Sequence, residues 1–321
     1  MDREGDTIIE VSGLTKRFLG RVAINNISFL VPRGEVVGLL GPNGAGKSTT
    51  MRILACYYPA TSGYARVAGF DVSSQPYEVK RRIGYMPENN PLHKDMRVRE
   101  YLKFRARLKG LGWKESRKRV DLMISQCGLE DVASRIIGQL SKGYQQRVGL
   151  ADALVHNPEV MILDEPTIGL DPNQVRSVRN LIKSLAGKHT VLISTHNLAE
   201  VEMTCNRVII LNEGKVLAAD KTENLQKLVT TGPQIIVEVL APADQLREFF
   251  KNSNNVESFE IIPVDDNYYR CIILPKNGDD LREKIYEKAV SSNWRLRELT
   301  RLRCGLEDIF VKLTRKEEEE E

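Results

Sequence analysis

The 321-residue sequence lacks long apolar runs, and its charge is nearly balanced. Its longest apolar stretches, such as Val36–Leu40 and Val160–Leu163, are far shorter than the ~20 residues that a membrane-spanning helix needs. We therefore expect that this chain does not cross a bilayer by itself. Residues 1–6 lack the basic and then apolar layout of a secretory signal, so no such leader is expected there.

The five cysteines are scattered, and no CxxC pair occurs. This pattern predicts reduced thiols of a cytosolic protein and excludes a disulfide or zinc framework. The 47 Lys and Arg against 43 Asp and Glu leave a net charge of +4, which is too small to make nucleic acid the expected partner. With 41% hydrophobic and 28% charged residues, the composition is that of an ordinary globular protein, and the length favours two domains.

The first part of the sequence has the rhythm of an α/β fold. From Ile8 to about Ala219, short apolar runs alternate with longer polar-faced segments, as in βα units on a mostly parallel sheet. Three runs predict buried strands, and a fourth segment predicts a closing hairpin: Glu35–Leu40, Val160–Leu163, Thr190–Ser194 and Arg207–Leu217. We expect one domain over residues 1–225, with a helical subdomain at about 90–155.

The pattern changes after a turn or linker signal at Thr230–Pro233. The following segments predict a ferredoxin-like β-α-β-β-α-β domain over residues 226–303: strand Gln234–Leu240, helix Ala243–Lys251, strand Val256–Pro263, strand Tyr268–Leu274, helix Asp279–Ala289 and strand Trp294–Thr300. Asp266-Asn267 is the predicted turn between the middle strands. Residues 304–321 should form a short helix, Leu306–Leu313, and a disordered acidic tail, Glu317–Glu321. We expect the domain over residues 226–303 to serve packing or to stabilise a dimer. Regulation by a small ligand is the alternative.

A glycine-rich phosphate-binding loop is the strongest chemical signal. The residues Gly41-Pro42-Asn43-Gly44-Ala45-Gly46-Lys47-Ser48 match GxxxxGK[ST] between an apolar strand and a predicted helix, Lys47–Cys56. Backbone N–H groups and the helix N-terminus of such a loop surround phosphate oxygens. Lys47 should reach the β- and γ-phosphates of the ligand, and the Ser48 hydroxyl should ligate Mg²⁺. A plain glycine-rich turn with an exposed lysine is the weaker alternative, because the pattern is rare by chance.

Two further polar groups follow predicted strands. Asp164 and Glu165 directly follow the apolar run Val160–Leu163. His196 lies two positions after the predicted strand Thr190–Ser194. Ligands collect at the carboxyl ends of strands in an open parallel sheet. We expect Asp164 to hold Mg²⁺ through water, Glu165 to polarise the attacking water, and His196 to donate to the γ-phosphate or to that water. A simple turn and a structural histidine are the alternatives.

The segment Leu140-Ser141-Lys142-Gly143-Tyr144-Gln145-Gln146-Arg147 resembles the signature motif of ATP-binding cassette (ABC) ATPases. The order of the motifs along residues 8–219 is also that of this family. The resemblance implies that two cassettes enclose two ATP molecules head to tail, as a homodimer or a heterodimer. Ser141 and Gly143 would then contact the γ-phosphate held by Lys47 of the other subunit. Lys142 and Tyr144 depart from the usual Leu-Ser-Gly-Gly-Gln.

The same resemblance assigns the remaining site residues. Phe18 takes the place of the aromatic that stacks on adenine, although a core aromatic is the alternative; Asp171 falls in the loop that spans the dimer; and Glu88 stands where the family has a glutamine. The implied nucleotide-binding set is Phe18, Gly41, Pro42, Asn43, Gly44, Ala45, Gly46, Lys47, Ser48, Thr49, Ser141, Gly143 and Asp171. The implied metal set is Ser48, Asp164 and Glu88, and the catalytic set is Glu165, His196 and Lys47.

Gly84–Leu92 and Leu306–Phe310 resemble the branch of cassettes that serves ABC-2-type exporters, including those associated with gliding motility. This branch implies a separate transmembrane permease subunit and a peripheral position at the cytoplasmic face of the membrane. The segment Lys94–Arg119 carries eleven Lys and Arg against three acids. It is either a solvated helix face or a surface toward anionic lipids or an acidic partner helix.

Two other classes of function compete with the transporter interpretation. A soluble ABC ATPase could act on a ribosomal or nucleic-acid partner, and a P-loop kinase could act on a small molecule. The segment from Ser48 to Ser141 is too short for the coiled-coil insertion of chromosome-maintenance ATPases, and the chain has one motif set where ribosomal factors of the family have two. A small-molecule kinase would have no use for a signature motif. The sequence therefore favours an ATPase that energises a transporter.

Overall fold

The computed structural model describes residues 7–228, 234–264 and 268–302. The chain divides into two compact units, Met1–Thr222 and Glu223–Glu321, which are described separately. The predicted linker Thr230–Pro233, the turn Asp266-Asn267, the helix Leu306–Leu313 and the tail Glu317–Glu321 lie wholly or mainly outside the described residues.

The first unit contains two sheets. Its strands are β1 (Thr7–Phe18), β2 (Arg21–Pro32), β3 (Val36–Leu40), β4 (Ser62–Val67), β5 (Phe70–Asp71), β6 (Ile83–Met86), β7 (Val160–Asp164), β8 (Thr190–Thr195), β9 (Arg207–Asn212) and β10 (Lys215–Lys221). Its helices are α1 (Lys47–Leu54), α2 (Pro76–Arg82), α3 (Val98–Leu108), α4 (Trp113–Gln126), α5 (Lys142–Leu154), α6 (Pro172–Leu185) and α7 (Leu198–Thr204). Helix α8 (Thr222–Leu228) begins at the boundary of the units.

The larger sheet has the order β10-β9-β3-β8-β7-β6, and β6 to β9 and β3 run parallel. Every residue of β3, β7 and β8 is buried, as their continuous apolar runs predict. The predicted hairpin is confirmed: β9 and β10 pair antiparallel across Glu213 and Gly214, which have φ angles of 45° and 79°. The mostly parallel sheet of the predicted fold is therefore present.

A second, antiparallel sheet of order β2-β1-β4-β5 was not expected from the sequence. Strands β1 and β2 are each 12 residues long and are joined by the short turn Leu19-Gly20. Several register shifts between them interrupt the alternation of buried and exposed positions that marks a half-buried strand. The expectation that βα units begin at Ile8 was wrong, since the first βα unit begins at β3. The irregular pairing of β1 and β2 is the reason why the sequence did not predict the antiparallel sheet.

The ends of two predicted helices needed correction. Helix α1 ends at Leu54 and not at Cys56, because Cys56 has a φ of 58°, which a right-handed helix cannot contain. The helix that the sequence predicts over Asp279–Ala289 is observed at Arg282–Ser291, so it begins three residues later and ends two residues later. The Asp280 carboxylate there accepts a hydrogen bond from the Arg282 N–H at 3.2 Å, as a side chain at a helix start does.

Within the described residues, the second unit has one antiparallel sheet and, after α8, two further α-helices. Its elements are β11 (Gln234–Leu240), α9 (Ala243–Lys251), β12 (Val256–Pro263), β13 (Tyr268–Pro275), α10 (Arg282–Ser291) and β14 (Arg295–Leu302). The strand order is β12-β13-β11-β14, which is the split β-α-β arrangement that the sequence predicts. Phe250 and Trp294 pack with the apolar side chains of β11 and β13 in a core of its own.

Candidate functional site

A cavity of about 480 Å³ lies at the phosphate-loop motif. Ten of the predicted site residues, from five separate segments, line it: Phe18, Asn43, Gly44, Gly46, Lys47, Ser48, Thr49, Glu88, Glu165 and His196. Arg21, Ala23 and Ile168 line it as well. The parallel strands bring these segments together, since β3, β7 and β8 are neighbours and end at the same edge of the sheet. Most of the predicted site residues therefore share one cavity.

The phosphate loop connects β3 to α1. Gly46 has a φ of 101°, and a Cβ at this position would lie 2.7 Å from the backbone oxygen of Ala23. Glycine is required here for both reasons. Lys47 is buried, and its Nζ donates to the backbone oxygens of Gly41 at 2.8 Å and Pro42 at 3.1 Å. The loop thus keeps its lysine folded back against its own backbone.

The charge of Lys47 is balanced by acids across the cavity. Burial lowers the pKa of the Lys47 ammonium, and the carboxylates of Glu165, Asp164 and Glu88 oppose that shift. The nearest of these, Glu165, places Oε1 3.7 Å from the Lys47 Nζ, and both side chains are buried. Anionic phosphate groups beside Lys47 would favour its charged form further.

Asp164 ends β7 and is fully buried. Its Oδ1 accepts hydrogen bonds from the Ser48 hydroxyl at 3.0 Å and the Ser194 hydroxyl at 2.5 Å. Its Oδ2 is buried and has no hydrogen-bond partner within the described residues. A buried carboxylate oxygen without a partner is costly unless a cation or water satisfies it. The pair Asp164 and Ser48 therefore fits a hard cation with oxygen ligands, such as Mg²⁺.

Glu165 has an unusual backbone conformation for a residue that is not glycine. Its φ is 48°, in the left-handed region, and its N–H donates to the Ser194 hydroxyl at 2.9 Å. His196 Nδ1 lies 3.0 Å from both oxygens of the Glu165 carboxylate, and the His196 side chain is about half exposed. Strained residues of this kind persist where the surrounding structure holds them, and they cluster at functional sites.

Phe18 lies at the rim of the cavity and is 43% exposed, so it is not a core aromatic. Its ring makes an edge contact with Tyr58 at a centroid distance of 5.7 Å, and the Lys16 ammonium lies 5.1 Å from the Phe18 ring centre. An exposed aromatic beside a phosphate loop can stack on a planar base.

Seven predicted site residues are not among those that line this cavity. Gly41, Pro42, Ala45 and Asp164 contact or adjoin lining residues of the phosphate loop. The other three, Ser141, Gly143 and Asp171, belong to the helices α5 and α6. Ser141 is the N-cap of α5, and its hydroxyl accepts weakly from the Tyr144 N–H at 3.5 Å. Asp171 is the N-cap of α6 and accepts from the Gln174 N–H at 2.9 Å. Gly143 is buried in the first turn of α5. Their assignment to the site of a second subunit stays a prediction.

The sequence analysis did not select Arg21, Ala23 and Ile168, although all three line the cavity. It also missed Ser194, which contacts both Asp164 and Glu165. Arg21 and Ala23 follow Phe18 on the antiparallel sheet that the sequence did not predict. Their closeness in sequence to Phe18 was the only available signal.

The sequence and the structure both match known ABC proteins. The ABC transporter family model matches residues 24–168. The chain is 31% identical over 325 residues to the ABC transporter ATP-binding protein YhcH of Bacillus subtilis, covering 98% of each chain. It is 37% identical over 227 residues to the daunorubicin/doxorubicin resistance ATP-binding protein DrrA of Streptomyces peucetius, covering 70% of this chain and 69% of DrrA.

A solved dimeric structure of the ATP-binding cassette MJ0796 in a post-hydrolysis state with ADP and Pi matches with a TM-score of 0.61. The two sequences are 28% identical, and the match covers 67% of this chain and 98% of that cassette. The chain therefore belongs to the ABC transporter ATP-binding proteins and is an ATP-binding ATPase cassette. It covers 38% of the length of another relative, YbhF of Escherichia coli K12, which is 36% identical over 223 residues. Membership of the ABC transporter family excludes the alternative that this chain is a P-loop kinase acting on a small molecule.

Proposed function

We propose that this chain is the ATP-hydrolysing subunit of an ABC-2-type exporter and that it acts as a dimer of cassettes on a separate transmembrane permease. One observation carries the catalytic part of the proposal. Lys47, Glu165 and His196 meet in one cavity beside a phosphate loop, while Ser141 and Gly143 stand outside it. Such a cavity holds half of a reaction centre, and a second cassette supplies the rest.

Binding of ATP uses the loop and the rim of the cavity. The backbone N–H groups of Gly41–Thr49 and the N-terminus of α1 surround the phosphates, and Lys47 contacts the β- and γ-phosphates. Phe18 stacks on the adenine, since its ring is exposed at the same cavity. Lys47 exchanges its contacts with Gly41 and Pro42 for phosphate oxygens.

Ser48 and Asp164 would hold Mg²⁺, and Glu88, which lines the cavity, is placed to assist. When bound, the ion would neutralise negative charge on the β- and γ-phosphates. Asp164 is suited to this role for two reasons. Its Oδ1 lies 3.0 Å from the Ser48 hydroxyl oxygen, and its Oδ2 has no hydrogen-bond partner among the described residues.

Hydrolysis converts ATP and water into ADP and phosphate. Glu165 accepts a proton from the attacking water, whose oxygen forms the new bond to the γ-phosphorus as the bond to the ADP oxygen breaks. His196 stays in contact with the Glu165 carboxylate and reaches the γ-phosphate or the attacking water from the same cavity. The buried position of Glu165 excludes competing solvent.

A second cassette completes each site. Ser141 and Gly143 begin α5, so their hydroxyl and N–H groups and the N-terminus of this helix form an anion site. In the dimer this anion site meets the γ-phosphate bound to Lys47 of the other subunit, and Asp171 lies in the loop that spans the two cassettes. Closure over both nucleotides then transmits force to the permease.

The Glu165→Gln variant tests the catalytic assignment. It should bind ATP with unchanged affinity but lose 10²–10⁴-fold or so in turnover, since general-base catalysis contributes roughly that much. It should also accumulate as an ATP-bound dimer. Steady-state ATPase rates, ATP titration and light scattering with and without ATP measure these three properties. Wild-type turnover of the variant would remove Glu165 from the catalytic role, and Glu202→Gln, an exposed glutamate of α7, is the matched control.

The exporter part of the proposal rests on the relatives and on one surface. DrrA is named for resistance to daunorubicin and doxorubicin, which export of these compounds would produce. Among the described residues, no helix is both apolar enough and long enough to span a membrane. We infer that the permease is another polypeptide and that this chain lies at the cytoplasmic face of the membrane through it. These relatives do not favour a ribosomal or nucleic-acid partner.

The permease contact is proposed at a groove between α3 and α4. This groove has a volume of about 670 Å³ and exposes Phe104, Leu108 and Trp113 beside the basic residues Arg107 and Arg117. The Arg107 guanidinium lies 3.9 Å from the centre of the Trp113 ring. Apolar side chains with a basic rim fit an amphipathic helix with acidic residues, so the groove suits an acidic helix of the permease.

Co-purification tests this contact. The chain should co-purify with a membrane protein of several apolar spans encoded in the adjacent reading frame, and the double variant Arg107→Glu/Arg117→Glu should lose at least ~10-fold in that association. ATP binding by the variant should be unchanged. Equal recovery of the permease by the variant would place the contact elsewhere, and a soluble neighbour with nuclease activity would contradict the exporter assignment.

A further inference from the structure

Glu200 lies outside the nucleotide cavity and belongs to none of the motifs. It stands in the first turn of α7 and is half-buried. Its carboxylate accepts two hydrogen bonds from hydroxyl groups of two different segments. Thr167 Oγ1 donates to Oε1 at 2.7 Å, and Thr195 Oγ1 donates to Oε2 at 3.1 Å. One carboxylate therefore joins the loop after β7 to the end of β8.

These two threonines flank the residues of the reaction centre. Thr167 follows Glu165 by two positions, in a turn where the Ile168 N–H donates to the Glu165 backbone oxygen at 3.2 Å. Thr195 directly precedes His196 in the sequence. Glu165 and His196 contact each other at 3.0 Å. Glu200 therefore makes a second connection, through Thr167 and Thr195, between the segments that carry Glu165 and His196.

The chain around His196 is held on both sides. The Asn197 N–H donates to the Thr195 hydroxyl at 3.0 Å, and the Asn197 side-chain oxygen accepts from the Glu200 N–H at 3.3 Å. Both neighbours of His196 are therefore tied to α7, while the His196 side chain itself remains about half exposed at the cavity. This arrangement leaves the imidazole in place without filling the space around it.

Glu200 also borders a small cavity of about 20 Å³ that is separate from the nucleotide cavity. Arg179 of α6 lines it together with Thr167 and Thr195. Such a volume holds at most about one water molecule and no nucleotide or metabolite. The carboxylate is therefore suited to join segments and not to bind a ligand.

We propose that Glu200 is a positioning residue for ATP hydrolysis. Its carboxylate fixes Thr167 and Thr195, and through them it keeps Glu165 and His196 in contact at the γ-phosphate end of the cavity. The strained backbone at Glu165, with its φ of 48°, needs such support from its surroundings. This inference rests on the role proposed above for Glu165 in hydrolysis.

The Glu200→Ala variant of the full chain tests the inference. A misplacement of about 1 Å at a reaction centre costs on the order of 100-fold in rate, so kcat should fall by about that factor. The KM for ATP and the ATP affinity in direct titration should stay within about twofold, since Glu200 does not touch the nucleotide cavity. Glu200→Gln should recover most of the rate, because its amide oxygen accepts from one hydroxyl and its NH₂ donates to the other. Glu202→Ala removes an exposed carboxylate from the same helix and should leave kcat unchanged.

A combined variant separates positioning from general stability. In the Glu165→Gln background, Glu200→Ala should lower the single-turnover rate by a much smaller factor than in the wild type, because the loss that comes from misplacing Glu165 is already absent and only that from His196 remains. The Thr167→Val variant removes one of the two hydrogen bonds and serves if Glu200→Ala folds poorly. Wild-type kcat in both Glu200→Ala and Thr167→Val, or the same fold-loss with and without Glu165→Gln, would overturn the inference. Wild-type turnover of Glu165→Gln itself would instead refute the proposed function on which the inference rests.

Discussion

The end of β7 carries two acidic side chains with different contacts. Asp164 and Glu165 are adjacent in sequence, yet their environments differ. Asp164 is fully buried and accepts from two serine hydroxyls, Ser48 and Ser194. Glu165 contacts a lysine and a histidine and keeps its carboxylate at the cavity. The left-handed φ of Glu165 turns the chain at this point, so that the two neighbouring acids contact different groups.

A second residue-scale feature is His156, a half-buried histidine after α5. Burial, together with the nearby cations Lys109, Arg119 and Arg105, lowers the pKa of His156 to about 4, although the hydrogen bond to Ile83 opposes this shift. Its Nε2–H donates to the Ile83 backbone oxygen at 2.9 Å, and its Nδ1 is buried without a partner in the described structure. The folded protein therefore favours the neutral imidazole.

This histidine predicts a stability that depends on pH. Between pH ~6.5 and ~4, His156 is protonated in the unfolded chain but stays neutral in the folded protein. The free energy of unfolding therefore decreases as the pH falls through this range, by up to about 3 kcal/mol. Above the unfolded pKa the full stability is present. Urea unfolding between about pH 7 and pH 5 measures the slope. His156→Gln keeps a donor to Ile83 but cannot titrate, so its slope should be shallower; equal slopes would contradict the prediction.

Helices α5 and α6 begin beside each other, and this contact involves one position of the signature motif within a single chain. A Cβ at Gly143 would lie 2.4 Å from the Gln174 Oε1. The Arg147 guanidinium donates to the Ser177 hydroxyl at 2.8 Å and joins the same helices further along. A larger residue at position 143 would therefore require the Gln174 side chain to move, because the atoms in the way are the end of that flexible side chain.

The start of α6 predicts a test at the scale of one element. Asp171→Ala should lower the free energy of unfolding by about 1 kcal/mol, because the Gln174 N–H loses its side-chain acceptor. Asp171→Asn keeps an acceptor oxygen and should stay close to wild type. Chemical unfolding of the three proteins measures the difference. Equal stability of the alanine and asparagine variants would show that the cap contributes nothing.

At the scale of the whole molecule, the chain combines a nucleotide-binding unit with a second unit that has its own core. The second unit packs Phe250, Trp294 and the inner faces of β11 and β13 into one cluster. The signature residues of the first unit lie outside its own nucleotide cavity. In the proposed function, a complete reaction centre therefore requires two copies of the first unit, whether from identical or homologous chains.

Pairing predicts that ATPase activity depends on protein concentration. Where dimers dissociate, the rate per cassette should fall in proportion to concentration, so a tenfold dilution should lower it by roughly tenfold. ATPase rates over a dilution series, with dimer content followed by light scattering, measure this dependence. A Ser141→Ala variant should have a low rate at every concentration. Full activity of the isolated monomer would contradict the proposed composite site.

The sequence alone determined the phosphate loop, the buried strands and the order of elements in the second unit. These features are local: a loop of fixed spacing, an apolar run or an alternating pattern specifies its own structure through backbone geometry and burial. The tertiary structure decided which side chains meet. The contacts of Glu165 with Lys47 and His196, the link through Glu200 and the place of Arg21 at the cavity join segments far apart in the chain. The antiparallel sheet of β1, β2, β4 and β5 belongs to the same class, because the register shifts of β1 hide its alternation until its partners pack against it.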